Sequence, residues 1–241
     1  MATIWYEGKV IARQEIAPHV IQLQLEAQDT ACFEYTAGQF ITMDLPIGEK
    51  RLQRWRSYSL AGAPNGTNIL ELCIVRSASG IGTQFLFEQA QVGYILRFKG
   101  PDGTFVLPQT IDKEIVMVCT GTGVAPFRSM ILDLHQKGLN HRGIHLIFGT
   151  RREESILYRA ELEALSHTIP QFRYDIALSQ QPDWAGYKGY VHQIYLEQYA
   201  TPHPNRQFYL CGWSNMIDQA VAHLIIDCGY ERGQVIYELY G

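Results

Sequence analysis

The chain has 241 residues, of which 46% are hydrophobic and 18% are charged, and its net charge is −4. This length exceeds the needs of one small core and suits two domains of ordinary size. No apolar run approaches the roughly 20 residues that a membrane span requires. The negative net charge disfavours binding to nucleic acid. We therefore expect neither a membrane partner nor a nucleic-acid partner.

Five cysteines are spread along the chain, at Cys32, Cys73, Cys119, Cys211 and Cys228. Their odd number and wide spacing disfavour a disulfide framework and indicate a reducing compartment, so we expect a cytoplasmic location. The spacing also excludes an iron–sulfur cluster, which needs four thiolates, some of them close in sequence. No metal site is predicted, and the amino terminus lacks the pattern of a secretory signal.

The first half of the chain consists of short alternating segments separated by Gly, Pro, Asn and Asp residues. One helix is expected in this half, at residues 83–89. Several short strands bounded by turn residues predict a closed antiparallel barrel. The predicted strands are residues 5–12, 21–26, 39–45, 55–61, 69–76 and 94–99.

After Pro108 the pattern changes, and apolar runs alternate with helical patterns. This alternation predicts right-handed crossovers and a parallel sheet covered on both faces. We therefore predict two domains: an antiparallel β-barrel in residues 1–108, followed by an α/β, parallel-sheet, Rossmann-like domain in residues 109–241. The predicted strands of the second domain are residues 115–119, 144–148, 172–178, 208–211 and 235–239, and its predicted helices are residues 126–137, 155–167, 191–199 and 214–228.

A glycine turn follows the first apolar run of the second half. Gly121 and Gly123 flank Thr122, and a helix is expected to begin close behind them. Such glycines let the backbone approach a diphosphate, whose charge is attracted by the N–H groups and positive end of the helix. Pro126 replaces the third glycine of the dinucleotide fingerprint, so a tight turn in an α/β sheet is the alternative interpretation.

Four residues of chemical interest, Arg56, Ser57, Tyr58 and Ser59, lie on one predicted strand of the barrel. Alternation directs Arg56 and Tyr58 to one side and the two serines to the other. A guanidinium binds a diphosphate through paired hydrogen bonds, and a tyrosine ring offers a flat surface for stacking. An exposed strand with a buried tyrosine is the alternative.

Six motifs, in this order, resemble those of the ferredoxin–NADP reductase superfamily, in which a flavin barrel precedes a nicotinamide domain. The resemblance covers nearly the whole chain and is to bacterial members without an iron–sulfur domain in the same chain. The motifs are Arg-Ser-Tyr-Ser at 56–59, Gly-Ile-Gly-Thr at 80–83, Gly-Pro-Asp-Gly-Thr-Phe at 100–105, Gly-Thr-Gly-Val-Ala-Pro-Phe-Arg-Ser at 121–129, Cys-Gly-Trp-Ser-Asn-Met at 211–216 and Glu-Leu-Tyr at 238–240.

The resemblance implies that the first domain binds FAD. It assigns the diphosphate to Arg56, ring stacking to Tyr58 and a contact with flavin N5 to Ser59. The glycine motif at 80–83 would hold the second phosphate, which favours FAD over FMN, and Thr83 is also a suitable helix N-cap. The FAD-binding residues implied in this way are Arg56, Ser57, Tyr58, Ser59, Cys73, Ile74, Gly80, Gly82, Thr83 and Tyr240.

The resemblance also implies four catalytic residues: Ser59, Cys211, Glu238 and Tyr240. Cys211 would lie near the nicotinamide ring, Tyr240 would cover the flavin, and Glu238 would support proton balance. A small buried residue at a strand end is the alternative for Cys211. Ordinary solvated residues on an edge strand are the alternative for Glu238 and Tyr240.

The residues that the resemblance implies for the dinucleotide site match NADP-specific members only in part. Members that use NADP carry Ser-Arg after the third strand, but here Gln180 follows Ser179. A neutral amide lacks the charge of the missing arginine, so we expect a modest preference for NADPH with NADH accepted. The implied residues are Thr120, Gly121, Thr122, Gly123, Arg151, Ser179, Gln180, Lys188, Tyr190, Gly212 and Met216.

The function implied is that of an FAD-dependent oxidoreductase. It would transfer hydride between NAD(P)H and flavin N5, and single electrons to or from a small acidic carrier such as a ferredoxin or flavodoxin. A reductase component of a multicomponent oxygenase and an electron-transfer subunit that is inactive alone are the alternatives. The basic residues Lys50, Arg51, Arg54 and Arg56 either attract an acidic carrier or form a solvated loop.

Overall fold

The computed structural model of the protein describes residues 4–240. The chain divides into two compact units. The first comprises the residues up to Val106 together with Arg128–Gln136, and the second comprises Leu107–Phe127 together with the residues from Lys137 onward. Each unit has its own sheet and its own hydrophobic core.

The first unit is built on a six-stranded sheet whose neighbouring strands are all antiparallel. Leu60, just after the fourth strand, forms an antiparallel bridge to Leu72 in the fifth. Next to it, the Ala61 N–H donates to the Glu71 carbonyl at 2.8 Å. These contacts join the two edges into the predicted barrel. The strands are β1 (Trp5–Ala17), β2 (Val20–Ala27), β3 (Phe40–Asp44), β4 (Trp55–Ser59), β5 (Ile69–Val75) and β6 (Ile95–Asp102), in the sheet order β4-β3-β6-β1-β2-β5.

β1 is longer than the segment predicted at residues 5–12. It continues to Ala17 because its whole length pairs with β2, as far as Ala17 opposite Val20. Two register shifts interrupt this pairing, and such irregularities bend a strand and increase its twist. The long bent strand supplies curvature that a closed barrel needs.

The first half of the chain, as far as the structure describes it, contains two helices instead of the single one predicted: α1 (Arg51–Arg54) and α2 (Ile81–Glu88). α1 is one turn without buried residues, so it leaves no apolar periodicity in the sequence. Two local hydrogen bonds hold it: the Lys50 N–H donates to Gln53 Oε1 at 3.0 Å, and the Gln53 N–H donates to the Lys50 carbonyl at 2.9 Å.

The prediction of Thr83 as an N-cap is wrong. α2 begins at Ile81 with Gly80 as its N-cap, so Thr83 is the third residue of the helix. The Thr83 hydroxyl is used by hydrogen bonds to the segment just before α2. It donates to the Gly80 carbonyl and accepts from the Ser77 N–H, both at 3.0 Å. The glycine motif therefore forms the first helical turn and does not precede it.

The second unit is built on a six-stranded sheet whose neighbouring strands are all parallel. The predicted two-domain fold class is therefore confirmed, with an antiparallel barrel first and a parallel α/β sheet second. The two-residue strand β10 was not predicted, because it is too short to show a pattern. The strands are β7 (Glu114–Thr120), β8 (Ile144–Thr150), β9 (Phe172–Leu178), β10 (Tyr187–Lys188), β11 (Arg206–Trp213) and β12 (Val235–Tyr240).

The order β10-β9-β8-β7-β11-β12 contains one reversal of direction. The chain runs outward from β7 through β10, then returns to the other side of β7 to form β11 and β12. In open parallel sheets, ligands bind beyond the carboxyl ends of the strands at such a reversal. The sheet order alone therefore predicts a ligand-binding site at the carboxyl ends of β7 and β11.

The helices of the second half of the chain are α3 (Val124–Lys137), α4 (Arg159–Thr168), α5 (Val191–Tyr199) and α6 (Ser214–Ala222). The helix predicted at 155–167 begins later, because Tyr158 has a φ of +54° and interrupts it. The helix predicted at 214–228 changes at His223 into a π-helical turn. In the described part of the chain, no helix has the length and apolarity needed to cross a bilayer.

Candidate active site

β4 carries four consecutive residues of the predicted flavin site. Strand alternation directs Ser57 and Ser59 to one side and Arg56 and Tyr58 to the other. Ser57 Oγ lies 3.0 Å from Thr42 Oγ1 on β3, and Ser59 is only 5% exposed. Tyr58 packs against the barrel core, and burial raises the pKa of its phenol well above the ordinary value. The strand therefore separates two hydroxyls from a guanidinium and an aromatic ring.

Arg56 lies beside the first turn of α2. Its Nη1 donates to the main-chain carbonyl of Trp55 at 2.7 Å. A Cβ added to Gly82 would lie 3.1 Å from both Cγ and Nε of Arg56, so a side chain there would push the arginine away from the helix. The structure thus brings together the predicted Arg56 and Gly82. A guanidinium at a helix N-terminus is a suitable environment for a phosphate group.

β5 contributes the predicted residues Cys73 and Ile74. Ile74 is 1% exposed and belongs to the barrel core, while Cys73 is 6% exposed. Both side chains are therefore covered by protein. A ligand that passes along this stretch would meet mainly its main-chain atoms.

The predicted glycine turn joins the end of β7 to α3. Gly121, Thr122 and Gly123 form a single 3₁₀ turn, and Gly121 has a φ of +53°, a value that suits glycine. Pro126 is the third residue of α3, where the missing N–H is one that a helix leaves unsatisfied. The turn leads directly into the 14-residue helix α3, and a Cβ added to Gly121 would meet no atom within 4 Å.

The ends of β7 and β11 approach each other too closely for side chains between them. A Cβ added to Gly123 would lie 2.4 Å from the Cys211 carbonyl oxygen. A Cβ added to Gly212 would lie 2.5 Å from Thr120 Oγ1, and Gly212 also has a φ of +136°. Both positions accept only glycine, and together they form a main-chain cradle at the reversal of the sheet. Such a cradle fits the diphosphate of a dinucleotide.

Cys211 and Glu238 are direct neighbours, since they pair in register between β11 and β12. Cys211 also pairs with Cys119 on β7. Burial raises the pKa of the Cys211 thiol well above its ordinary value, the carboxylate of Glu238 raises it further, and a hydrogen bond with Tyr240 opposes both. The thiol is therefore protonated at neutral pH. Of the four predicted catalytic residues, the second unit brings together Cys211, Glu238 and Tyr240, whereas Ser59 belongs to the barrel.

The residues predicted for the adenine end lie where β8, β9 and β10 end. The Gln180 N–H donates to the Arg151 carbonyl at 2.8 Å, and the Ser179 N–H donates to the preceding carbonyl of β8 at 3.0 Å. Lys188 pairs with the last residue of β9, and Tyr190 is 69% exposed at the start of α5. All five predicted residues therefore belong to one group of strand ends. Met216 lies elsewhere, in the first turn of α6, and is 7% exposed.

Sequence reasoning missed two residues at this edge of the sheet. Cys119 is the register neighbour of Cys211, and Trp213 pairs with Tyr240. The signal for Trp213 was its place within the Cys-Gly-x-x-x-Met motif. Cys119 carried no signal of its own, because its neighbour depends on the pairing of β7 with β11.

Two family models match the chain, one for each half. The model of the oxidoreductase FAD-binding domain matches residues 7–107, and that of the oxidoreductase NAD-binding domain matches residues 117–222. The chain is also 33% identical over 241 residues to the ferredoxin–NADP reductase B of Sorangium cellulosum, a match that covers 98% of this chain and 97% of that protein. The chain belongs to the ferredoxin–NADP reductase superfamily.

Membership of this superfamily makes the protein an FAD-binding and NAD(P)-binding oxidoreductase that acts in electron transfer. Other members work in oxygenase systems. The chain is 31% identical over 232 residues to the phenol hydroxylase P5 protein of Acinetobacter pittii, and it spans 63% of that longer protein. A further relative, 31% identical over 239 residues, is the reductase component DmpP of the phenol 2-monooxygenase of a Pseudomonas species.

The fold agrees with that of a solved member of the superfamily. A ferredoxin–NADP reductase from Neisseria gonorrhoeae with bound FAD and NADP matches with a TM-score of 0.81. The match covers 99% of each chain at 24% sequence identity. At that identity the likeness shows the common fold.

Proposed function

We propose that the enzyme transfers hydride between NAD(P)H and N5 of FAD, and single electrons to or from a small acidic carrier such as a ferredoxin or flavodoxin. The row of Cys211, Glu238 and Tyr240 beside the glycine cradle carries this proposal. A protonated thiol, a carboxylate and an aromatic ring meet there at the end of a parallel sheet. This combination suits proton and hydride chemistry at a planar ring better than it suits a purely structural role.

Bound FAD would supply the conversion between a two-electron donor and a one-electron acceptor. The chain's own residues would bind and orient the reacting groups. We propose that Cys211 donates a hydrogen bond as a neutral thiol, that Glu238 supports proton balance beside it, and that Tyr240 covers the reacting ring. We propose that Ser59 donates a hydrogen bond from the barrel toward flavin N5.

The FAD site that we propose is formed by β4, β5 and the start of α2. Arg56 and the turn containing Gly80, Gly82 and Thr83 would hold the phosphates. Their closeness supports this assignment, because the Arg56 stem lies within 3.1 Å of where a Gly82 side chain would begin. Tyr58 would support the ring, and Ser57, Cys73 and Ile74 would line the remaining length. The proposed domain boundary lies between residues 108 and 109.

For the dinucleotide we propose the cradle of Thr120, Gly121, Thr122 and Gly123, with Gly212 and Met216 along the diphosphate path. The adenine end would be bound by Arg151, Ser179, Gln180, Lys188 and Tyr190. Lys188 and Arg151 supply the positive charge of this group, and Gln180 supplies none. We therefore propose a modest preference for NADPH over NADH.

We propose an acidic carrier because the segment around α1 is positively charged and would attract it. Arg51 stacks over Trp55, with its Cζ 4.9 Å from the ring centroid, and Lys50 is exposed beside it. Arg54 is less free, because it forms a 2.7 Å ion pair with Asp44. Two exposed cations thus remain to attract an acidic protein. A cytoplasmic location, proposed on the odd number and wide spacing of the cysteines, would give access to such carriers.

A second candidate function is that of an oxygenase reductase component. The phenol hydroxylase P5 protein of Acinetobacter pittii favours it through its 31% identity over 94% of this chain. A third candidate is an electron-transfer subunit that is slow alone. The isolated chain distinguishes the third candidate from the other two, because a competent reductase oxidises NAD(P)H rapidly with an artificial acceptor.

The test begins with the purified protein. We expect one FAD per chain on extraction, and rapid reduction of that FAD by NADPH. Ferredoxins and flavodoxins of the source organism, supplied one at a time, should then accept electrons at rates far above the rate of NADPH oxidation without them. Recovery of FMN alone would reject the cofactor, and failure of every carrier alongside fast dye reduction would favour the oxygenase component.

A further inference from the structure

Trp213 is the most exposed aromatic side chain at the carboxyl edge of the second sheet. It is 70% exposed, whereas Cys211, two residues earlier in β11, is fully buried. Tryptophan is usually well buried, so a largely exposed indole at the edge proposed to bind the dinucleotide is a candidate for contact with that ligand. Trp213 is the last residue of β11. On the neighbouring strand, its register partner is Tyr240.

The main chain of Trp213 is hydrogen-bonded although its ring is exposed. Its N–H donates to Thr120 Oγ1 at 3.3 Å, and the preceding Gly212 adopts a conformation that suits glycine. Trp213 is the N-cap of α6, yet no side-chain hydrogen bond caps the helix there. The main chain therefore places Trp213 at the amino end of α6, and a side-chain cap does not account for the residue.

The sheet order decides which part of a dinucleotide would reach Trp213. β11 is separated from β9 by β8 and β7, which amounts to three spacings of about 4.8 Å, or roughly 14 Å in all. The residues proposed for the adenine end follow β9 and β10, on the far side of the reversal. Trp213 lies on the near side, in the row of Cys211 and Tyr240. A dinucleotide extended along the strand ends would bring its nicotinamide half here.

We propose that Trp213 binds the nicotinamide half of the dinucleotide through its indole ring, in addition to the residues already named. This inference rests on the proposed function of the same edge. An indole face attracts the positively charged oxidised nicotinamide ring, and aromatic stacking tolerates small shifts of the ligand. The closeness of Tyr240 in register means that the two aromatic rings flank the same part of the edge.

The experiment measures binding, independently of turnover. The FAD-loaded parent, Trp213→Ala, Trp213→Phe and the control Trp55→Phe are titrated by calorimetry with NADP⁺ and with its adenine half, 2′,5′-ADP. We expect Trp213→Ala to weaken NADP⁺ binding by about tenfold, the effect of losing one stacked ring, and to leave 2′,5′-ADP binding unchanged. Trp213→Phe should retain most of the affinity, and Trp55→Phe all of it.

Two results would overturn the inference. One is unchanged NADP⁺ binding in Trp213→Ala. The other is an equal loss for NADP⁺ and 2′,5′-ADP, which would mean that the substitution disturbs the start of α6 and that no nicotinamide contact is lost. A parent that binds neither ligand would instead reject the proposed function, and this inference with it.

A second measurement uses the ring itself as the reporter. A chain carrying Trp5→Phe, Trp55→Phe and Trp184→Phe keeps Trp213 as its single tryptophan. Its emission should change on addition of NADP⁺ and stay constant on addition of 2′,5′-ADP. Constant emission with saturating NADP⁺ would contradict a contact with the nicotinamide half.

Discussion

Cys211 owes its environment to three neighbours on different strands or strand ends. Cys119 pairs with it on one side and Glu238 on the other, and Tyr240 bonds to it from the end of β12. Burial and the carboxylate of Glu238 favour the thiol over the thiolate and outweigh the opposite effect of the hydrogen bond with Tyr240. A neutral thiol keeps its proton available for a hydrogen bond, which is the role proposed for it.

The first prediction separates a role at the reacting ring from a role in cofactor binding. Ser59→Ala and Cys211→Ala should each slow the reduction of bound FAD by NADPH by about tenfold to a hundredfold, because each removes one oriented donor. FAD content should remain near one per chain, because neither substitution alters Arg56 or the start of α2. Stopped-flow absorbance and cofactor extraction measure the two quantities, and unchanged rates in both variants would reject the roles.

The second prediction concerns Gln180, which stands beside the Arg151 carbonyl at the adenine end. Gln180→Arg should add a charge-assisted bond to the 2′-phosphate and raise the NADPH to NADH ratio of kcat/KM by about tenfold. Gln181→Arg, one position further along the loop, is the matched control for added charge. A strong NADH preference that Gln180→Arg leaves untouched would mean that this group of strand ends does not bind a 2′-phosphate.

At the scale of elements, β8 and β9 are linked to α5 by a buried polar group. His145 in β8 is 1% exposed, its Nε2 lies 2.9 Å from Asp175 Oδ2 in β9, and its Nδ1 lies 2.7 Å from the Tyr199 hydroxyl in α5. A neutral imidazole satisfies both partners by donating to the carboxylate and accepting from the hydroxyl. Burial lowers the pKa of His145 and outweighs the opposite effects of Asp175 and Glu114, while Arg173 lowers it further.

The third prediction follows from the sign of that shift. The unfolded chain holds a proton on this histidine below about pH 6.5, whereas the folded chain resists it, so stability is lost as the pH falls below that value. His145→Gln should flatten the fall in melting temperature between about pH 7 and about pH 5. The exposed His203→Gln is the control. A parent whose stability stays constant over this range would contradict the prediction.

The elements that the sequence predicted are those whose pattern repeats over several residues. The five long strands of the second unit and the six strands of the barrel all appear near their predicted positions, because apolar periodicity reflects burial. α1 and β10 were missed, since one turn and two residues carry no period. Thr83 was misjudged because the sequence does not reveal that its hydroxyl is used within the loop before α2.

The candidate site was predictable to the extent that its residues lie in motifs. The cradle at Gly123 and Gly212 could be anticipated from glycines at two strand ends, but its closeness depends on β7 and β11 being neighbours. That pairing is a long-range property of the fold. The same pairing makes Cys119 a neighbour of Cys211, which no local pattern indicates.

At the scale of the whole molecule, charge is distributed unevenly. The net charge is −4, yet the segment from Lys50 to Arg56 carries four cations and no acid. An acidic carrier would therefore be attracted to one segment of a chain that repels it on average. Such attraction acts mainly on the rate of association and weakens with salt.

The fourth prediction tests this attraction. The double variant Lys50→Glu with Arg51→Glu should lower kcat/KM for an acidic carrier by about tenfold at low salt, and the loss should shrink as ionic strength rises. Reduction of a neutral quinone by the same variant should be unaffected. The double variant Arg142→Glu with Arg232→Glu, at two exposed cations of the second unit, is the control with the same change in charge. An equal effect of both variants would mean that total charge acts, without a particular docking segment.

The five cysteines can serve as probes of how fast each unit of the protein opens locally. Cys32 and Cys228 are partly exposed, whereas Cys73 is buried in the barrel, and Cys119 and Cys211 are buried in the parallel sheet. A thiol reagent reaches a buried cysteine only when the surrounding structure opens, so its labelling rate reports that opening event. Mass spectrometry of a labelling time course would then assign one opening rate to the barrel and another to the parallel sheet. Native chain carries these probes without any substitution, and a dinucleotide that closes the edge beside Cys211 would slow labelling there and leave Cys73 as it was.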